Sequence, residues 1–253
     1  MPVSPRAKTL ALISGAGGTG RTTVGVGLAR YLAGLEQRVL LFDLCFGWGG
    51  LGLGGQEAIS YSALLDADDR IEDAVVSAEP GFDVLTCLPP PVLDPSLDDL
   101  KKLVWLTGSL SEKYDFLILD PPSGGHPLSL LAAGSSDRIM LFTRPDSISV
   151  ASSCRLLKSL NDEGIASNVG AVTSFVDSVE QAASVKARLD ILAGQIPVAR
   201  IQNCGFIRRV NPGRDFEVDS IQHLDLAAIA MLQSETAAEA MEPAFRVSAK
   251  VGR

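Results

Sequence analysis

At 253 residues, 46% hydrophobic but only 6% aromatic, the chain has the length and Ala/Leu/Val-rich composition of one large α/β domain with a sizeable core. A formal net charge of −8, with no lysine and arginine cluster to offset it, argues against general affinity for nucleic acid. Cys45, Cys87, Cys154 and Cys204 stand far apart without a C-x-x-C pair, the start from Met1 to Lys8 is polar, and no apolar run of about 18 residues occurs, so the expectation is a soluble, cytoplasmic protein without zinc or disulfides.

Leu10 to Ile13 is a short apolar run that stops at Ser14 in a glycine-rich loop. A helical pattern restarts at Thr22, with Val24, Leu28, Ala29 and Leu32 at helical spacing and Gly34 as a stop. The stretch reads as strand, phosphate loop, helix. Gly15, four residues, Gly20, a cation and Thr22 match the spacing G-x-x-x-x-G-K-[ST], with Arg21 where lysine is expected. Glycine suits such a loop because successive backbone N–H groups must face one concavity, and the following helix aims its positive end at the same place. Gly15, Gly17, Gly18, Thr19, Gly20, Arg21, Thr22 and Thr23 are therefore the candidate phosphate ligands. Glycine-rich turns also occur without a ligand, but here the spacing, the cation, the paired threonines and the flanking apolar run agree.

Arg38 to Asp43 is a nearly continuous apolar strand ending in a carboxylate, as in a parallel strand buried on both faces. Strand, helix, strand at this distance is a βαβ unit with a right-handed crossover, and ligands bind beyond the carboxyl ends of such strands. The segment from Leu44 to Gly55 carries six glycines and predicts a movable loop, in which Trp48 is either a partner surface or folded back over the core. Residues 62–66 and 70–77 read as short helices and 82–88 as a strand. The prolines at 89–91 and 95 lead into an amphipathic helix with Leu97, Leu100, Leu103, Val104, Trp105 and Leu110 as its apolar face, which puts Trp105 in the core.

Residues 114–120 form a second buried strand ending in a carboxylate, Asp120, before Pro121-Pro122-Ser123-Gly124-Gly125. An aspartate so placed beside a phosphate loop commonly supports a Mg²⁺-bound water, the alternative being a cap of the next turn. Further strands are expected at 136–143, 169–174 and 203–207, with helices at 149–160 and 179–192. An alanine-rich closing helix runs from Asp225 to before Pro243. One domain over 1–242 and a disordered tail over 243–253 follow. His126 and His223 read as structural or surface residues, Ser62, Ser123 and Ser153 as turn or cap residues, and no serine-histidine-aspartate arrangement is visible.

The run from Ser14 to Thr23, the strand ending at Asp43, the segment from Tyr114 to Gly124, and Thr143-Arg144-Pro145-Asp146 between strand and helix together resemble the MinD/ParA superfamily of deviant Walker ATPases, over roughly Thr9 to Ile207. Arg70 to Val75 followed by Gly81 to Leu85, and the closing Gly205-Phe206-Ile207, look most like the flagellar regulator FlhG (FleN). The pilus-positioning CpaE and TadZ and the cellulose-associated BcsQ are competing relatives.

The resemblance implies a doubly wound, mostly parallel sheet with helices on both faces, a P-loop NTPase fold of the SIMIBI/MinD-like type. It implies ATP or ADP with Mg²⁺ as ligand, held by the loop and, for the metal, by Thr22, Asp43 and Asp120. A homodimer, a protein partner in a polar or membrane-associated machine, and recruitment to a pole or membrane are implied as well.

Departures from the family pattern fall on catalysis. The family's first loop lysine is Ala16, its second is Arg21, and its paired carboxylates become Asp43 and Cys45. The asparagine that reads adenine becomes Ser174, and a later proline becomes Arg208, which makes Ser174 and Arg208 the candidate base contacts. Arginine is not an equivalent replacement for lysine at a tight site, and a thiol cannot orient water as a carboxylate does. Phosphoryl transfer depends on such charges, and losing several kcal/mol costs about a thousandfold in rate. The expectation is a nucleotide-binding positioning or regulatory protein, flagellar by preference, with weak or absent hydrolysis. A working ATPase is the alternative. An enzyme of the broader fold is disfavoured, as are DNA binding and stable membrane anchoring, since Phe245, Val247 and Val251 form no helical stripe.

Overall fold

The computed structural model describes residues 6–45, 59–66, 71, 74–78, 81–86, 94–165, 169–196, 201–209 and 224. Its elements run β1 (Lys8–Ser14), α1 (Arg21–Gly34), β2 (Val39–Asp43), α2 (Tyr61–Leu65), β3 (Val75–Ala78), β4 (Phe82–Thr86) and α3 (Leu97–Ser111). They continue with β5 (Phe116–Asp120), α4 (Pro127–Gly134), β6 (Arg138–Thr143), α5 (Ser147–Asp162), β7 (Val169–Val176), α6 (Val179–Ala193) and β8 (Gln202–Arg208).

The strands form one sheet in the order β3-β4-β2-β5-β1-β6-β7-β8. All pairings are parallel except β3 with β4. β2 and β5 are buried along their whole lengths, as the continuous apolar runs require of strands covered on both faces. The strand period of two then sorts side chains between two cores. Leu12, Leu41 and Ile118 meet Val24, Leu28 and Leu32 of α1 on one face. Ala11, Ile13, Leu40 and Leu119 meet Leu103 and Leu110 of α3, Leu128 of α4 and Leu156, Leu157 and Leu160 of α5 on the other. Each fully buried leucine contributes about 1.5–3 kcal/mol. The doubly wound, mostly parallel architecture read from the sequence is the one observed.

Three expectations are corrected. The helix expected over 70–77 is replaced by β3, where Val76 pairs with Val84 and Ser77 with Asp83. The β-branched Val75 and Val76 take the ladder that β4 offers, and the hairpin closes through Gly81 at φ +91°. A helix not expected from the sequence, α4, starts with Pro127 in its first turn and His126 as N-cap, whose Nδ1 accepts from the Leu128 amide at 3.1 Å. Trp105 is 52% exposed, and Leu97 and Val104 are exposed with it. The buried face of α3 is Leu103, Leu106, Thr107, Leu110 and Ser111, and at 100° per residue Trp105 sits roughly 200° round from Leu103.

Trp48, Cys87, His223, the helix expected from Asp225 and the tail at 243–253 lie outside the described residues. Among the described residues no helix is long and apolar enough to cross a membrane.

Candidate phosphate-binding site

The strand order brings the carboxyl ends of β1, β2 and β5 together, because β5 lies between the other two. Register makes Asp43 and Asp120 direct partners across β2 and β5, and Thr86 of β4 the partner of Asp43 on its other side. Both carboxylates are buried. Asp43 Oδ2 accepts from Thr86 Oγ1 at 2.9 Å and its Oδ1 from the Cys45 amide at 2.9 Å. Asp120 Oδ2 accepts from Thr22 Oγ1 at 2.5 Å, while its Oδ1 is buried with no hydrogen-bond partner among the described residues. Burial pushes the Asp120 carboxyl up to about 6; Asp43 adds to the rise, and Arg21 and Thr22 oppose it.

The loop between β1 and α1 is built for close approach. A Cβ on Gly15 would lie 2.2 Å from the backbone carbon of Ser152 and 2.3 Å from the Ser153 nitrogen, so this glycine lets the loop rest on α5. Its need is therefore packing against a helix, not clearance for phosphate oxygens. Gly18 at φ +66° and Gly20 at φ +78° supply the left-handed turns that side chains resist. Ser14 Oγ donates to the Ala16 carbonyl at 2.7 Å, and the Gly124 amide donates to the Ser14 carbonyl at 2.8 Å. Gly17 stays open, with Ser123 Oγ 3.7 Å from where its Cβ would be. α1 begins with no side-chain cap and no acidic residue in its first turn, so its amino end is left for an anion. Thr19 Oγ1 is buried there without a partner among the described residues.

Arg21 departs from the pose that a loop lysine suggests. Only 8% exposed, it sends its guanidinium beneath the loop, where Nη1 donates to the carbonyls of Pro121 at 2.8 Å, Pro122 at 3.3 Å and Leu12 at 3.4 Å. Its Nη2 lies 3.7 Å from Cys45 Sγ. The Cys45 thiol donates to the Pro121 carbonyl at 2.8 Å and is pushed up to about 12 by burial and by Asp120 and Asp43, against the pull of Arg21. It is therefore protonated at neutral pH and neither a base nor a nucleophile. Ligand atoms of Asp43, Cys45 and Asp120 all lie within 4.8 Å of one another. The protonated thiol is no ligand for a hard cation, but the carboxylate oxygens of Asp43 and Asp120 and the Thr22 hydroxyl, all oxygen donors, suit a divalent cation such as Mg²⁺.

Beside the loop a cavity of about 550 Å³ is lined by Gly18, Arg144, Pro145, Asp146, Phe175 and Arg209. Ser174 and Arg208, the base contacts expected from the sequence, do not line it; their immediate neighbours do. Ser174 is fully buried in β7, and Arg208 is exposed at the end of β8. The cause is local: Phe175 sits at φ +59°, and the pairing of β7 with β8 shifts register between Thr173 and Val176. Arg209 donates through Nε to Asp177 at 3.1 Å, and Arg144 through Nε to Asp146 at 3.1 Å. Asp146 also caps α5, accepting from the Ser149 amide at 2.8 Å.

A larger cavity, about 680 Å³, opens at the opposite end of the sheet beside Arg38, Asp83 and Tyr114. Its charged groups are engaged locally, Arg38 with Asp115 and Tyr114 with Asp83, and it lies far from the carboxylate pair.

Sequence reasoning thus brought together Thr22, Asp43, Asp120 and the loop glycines, but not Thr86, Arg144, Phe175 or Arg209. For Thr86 the available signal was its place at the end of a strand parallel to β2; for Arg144, its place just after β6.

No family model matches the chain. It is 27% identical over 198 residues to the septum site-determining protein MinD of Synechocystis sp., covering 74% of this chain and 73% of that one. It is also 27% identical over 168 residues to the chromosome-partitioning ATPase Soj of Thermus thermophilus, covering 62% and 63%. A chain of the solved MinC:MinD cell division protein complex of Aquifex aeolicus superimposes with a TM-score of 0.69 at 22% identity, over 93% of this chain and 96% of that one. MinD of Pyrococcus horikoshii complexed with Mg-ADP does so with 0.64 at 19%, over 94% and 97%.

Proposed function

The chain is a member of the MinD/ParA superfamily of P-loop proteins, and from that premise we propose that it is a nucleotide-binding positioning protein that hydrolyses ATP weakly or not at all. It takes ATP or ADP in the loop from Gly15 to Thr23 and acts through protein contacts on a polar machine, the flagellum by preference. The observation that carries this reading is the position of Arg21, whose guanidinium is held by three backbone carbonyls while a protonated thiol stands beside the carboxylate pair. Stabilising a transferred phosphoryl group needs cations aimed at it and a group that orients water, and neither side chain is disposed for that task.

Binding is supported separately by the open amino end of α1, the left-handed Gly18 and Gly20, and the carboxylate pair. Thr22, Asp43 and Asp120 would hold Mg²⁺, which when bound neutralises phosphate charge. Thr22 and Asp120 already orient one another, and Asp43 is fixed by Thr86. Relatives whose names include septum placement and chromosome partitioning support a positioning role, and the MinC complex of a MinD supports a protein partner.

The deciding measurement is phosphate release from ATP by the purified protein, beside the double variant Ala16→Lys with Arg21→Lys. Negligible release by wild type and a gain in the double variant are expected. Robust wild-type release that Asp43→Ala abolishes would refute the reading in favour of a working ATPase.

A further inference from the structure

Besides backbone amides and Mg²⁺, a side-chain cation strengthens the hold on a di- or triphosphate, and the two positions where a loop lysine is expected supply none. Ala16 has no charge, and the Arg21 guanidinium is committed to the carbonyls of Leu12, Pro121 and Pro122. A different arginine stands at the loop. Arg144 follows β6, and its Nη1 lies 3.7 Å from the point that a Cβ on Gly18 would occupy. Gly18 belongs both to the phosphate loop and to the lining of the 550 Å³ cavity, as Arg144 does to that lining. A ligand with its phosphates in the loop and the rest of the molecule in the cavity passes this guanidinium.

Three features hold the side chain ready. The Arg144 amide donates to Ser149 Oγ at 2.9 Å, Pro145 stiffens the following bond, and Nε is tied to Asp146, itself locked as the cap of α5. The terminal nitrogens have no hydrogen-bond partner among the described residues, and the side chain is 39% exposed. An exposed ion pair such as Arg144 with Asp146 is weak, so a phosphate does not have to outbid a strong partner. A guanidinium on a phosphate makes charge-assisted bonds that a neutral side chain cannot. Arg209, the other cation of the cavity, is engaged through its guanidinium with Asp177 and the Phe175 carbonyl.

We propose that Arg144, and not Arg21, is the side-chain cation of the phosphate site, so that the ligand is a nucleoside di- or triphosphate whose charge is met from the turn between β6 and α5. The inference rests on the nucleotide reading above. Its test is calorimetric titration of ADP and ATP, with Mg²⁺, into the full chain as wild type, Arg144→Ala and Arg144→Lys. The alanine variant is expected to lose about tenfold or more in affinity, and the lysine variant, at this half-exposed rim and not in a tight site, to keep most of it because it keeps the charge. Wild-type binding with an alanine variant unchanged within about twofold would overturn the role of Arg144 and leave the nucleotide reading standing. Lysine as poor as alanine would overturn it too, since charge would not be what the ligand reads. A wild type that binds neither nucleotide overturns the nucleotide reading and this inference with it.

Discussion

Replacing Asp120 with asparagine separates the cost of the site from its use. A buried carboxyl raised from 3.8 to about 6 binds its proton more tightly folded than unfolded. The sign follows: between those two values the native state holds the extra proton, so stability falls as pH rises through the interval, and the penalty is complete above it. The shift corresponds to about 3 kcal/mol at neutral pH, of which about 2 kcal/mol develops between pH 4.5 and pH 7.5. Asparagine abolishes the titration but keeps an oxygen for Thr22 Oγ1, the present partner of Oδ2. Its amide nitrogen would take the place of the orphaned Oδ1, at a cost that does not depend on pH in this range.

The quantity to read is therefore the difference between variant and wild type, measured by urea denaturation at both pH values in the absence of nucleotide and Mg²⁺. It is expected to move in favour of the variant by about 2 kcal/mol from pH 4.5 to pH 7.5. At this chain length each kcal/mol corresponds to about 2–4 °C in Tm, so a parallel melt would show the same trend. A difference that is flat with pH, or that moves toward wild type, would refute the claim that this carboxylate is held ionised at a cost.

Arg21→Met removes the guanidinium that opposes the rise at Asp120 and is expected to destabilise by about 3 kcal/mol at pH 7.5, and by less at pH 4.5. Combined with Asp120→Asn the two effects should fall short of additivity by more than about 0.5 kcal/mol, and an additive double variant would show that the pair is not coupled. Gly15→Ala forces a methyl into the backbone of α5 and should cost about 3 kcal/mol or prevent soluble expression, whereas Gly17→Ala, with ordinary space, should be well tolerated in a denaturation assay. With its thiol pushed up to about 12, Cys45 should react with iodoacetamide at pH 8 at least about tenfold more slowly in the native than in the unfolded protein, followed by mass spectrometry.

What the sequence revealed and what it hid divide along a physical line. β2 and β5 were legible because burial on both faces demands continuous apolar runs, and their terminal aspartates fell at the site because parallel register aligns strand ends. The turn from strand to helix was legible from the glycine spacing together with the cation, the paired threonines and the flanking apolar run. β3 was hidden because Ile71, Ala74 and Val75 mimic a helical stripe, and only the partner strand β4 reveals the ladder. Trp105 misled because an apolar residue near a stripe reads as part of it, whereas a helix period that starts from Leu103 leaves it outside. The direction of Arg21 was not legible at all. It is set by the carbonyls of Pro121 and Pro122, 100 residues away in the chain, and by the thiol two residues beyond Asp43. Ser174 and Arg208 missed the cavity by one residue each because a register shift next to a left-handed Phe175 changes which side chains face it.

That inward arginine has a consequence for how the site holds its charge. Two buried carboxylates on adjacent strand ends repel each other, and without ligand something must offset them. A lysine head has three donors on a compact centre and leaves readily for a phosphate. A planar guanidinium, once seated among three carbonyls and a thiol, has more bonds to break before it can leave. Arg21 thereby offsets the charge of Asp120, and a guanidinium seated in this way is not at the same time disposed toward a phosphate in the loop. On the proposed reading, affinity for a polyphosphate comes from loop amides, the amino end of α1, Mg²⁺ on the carboxylates and a side-chain cation that stands apart from them. Holding a nucleotide is, on that same reading, separable from breaking its terminal bond: the first rests on the loop and the rim, and the second on a charge that Arg21, seated on three carbonyls, does not aim at the loop.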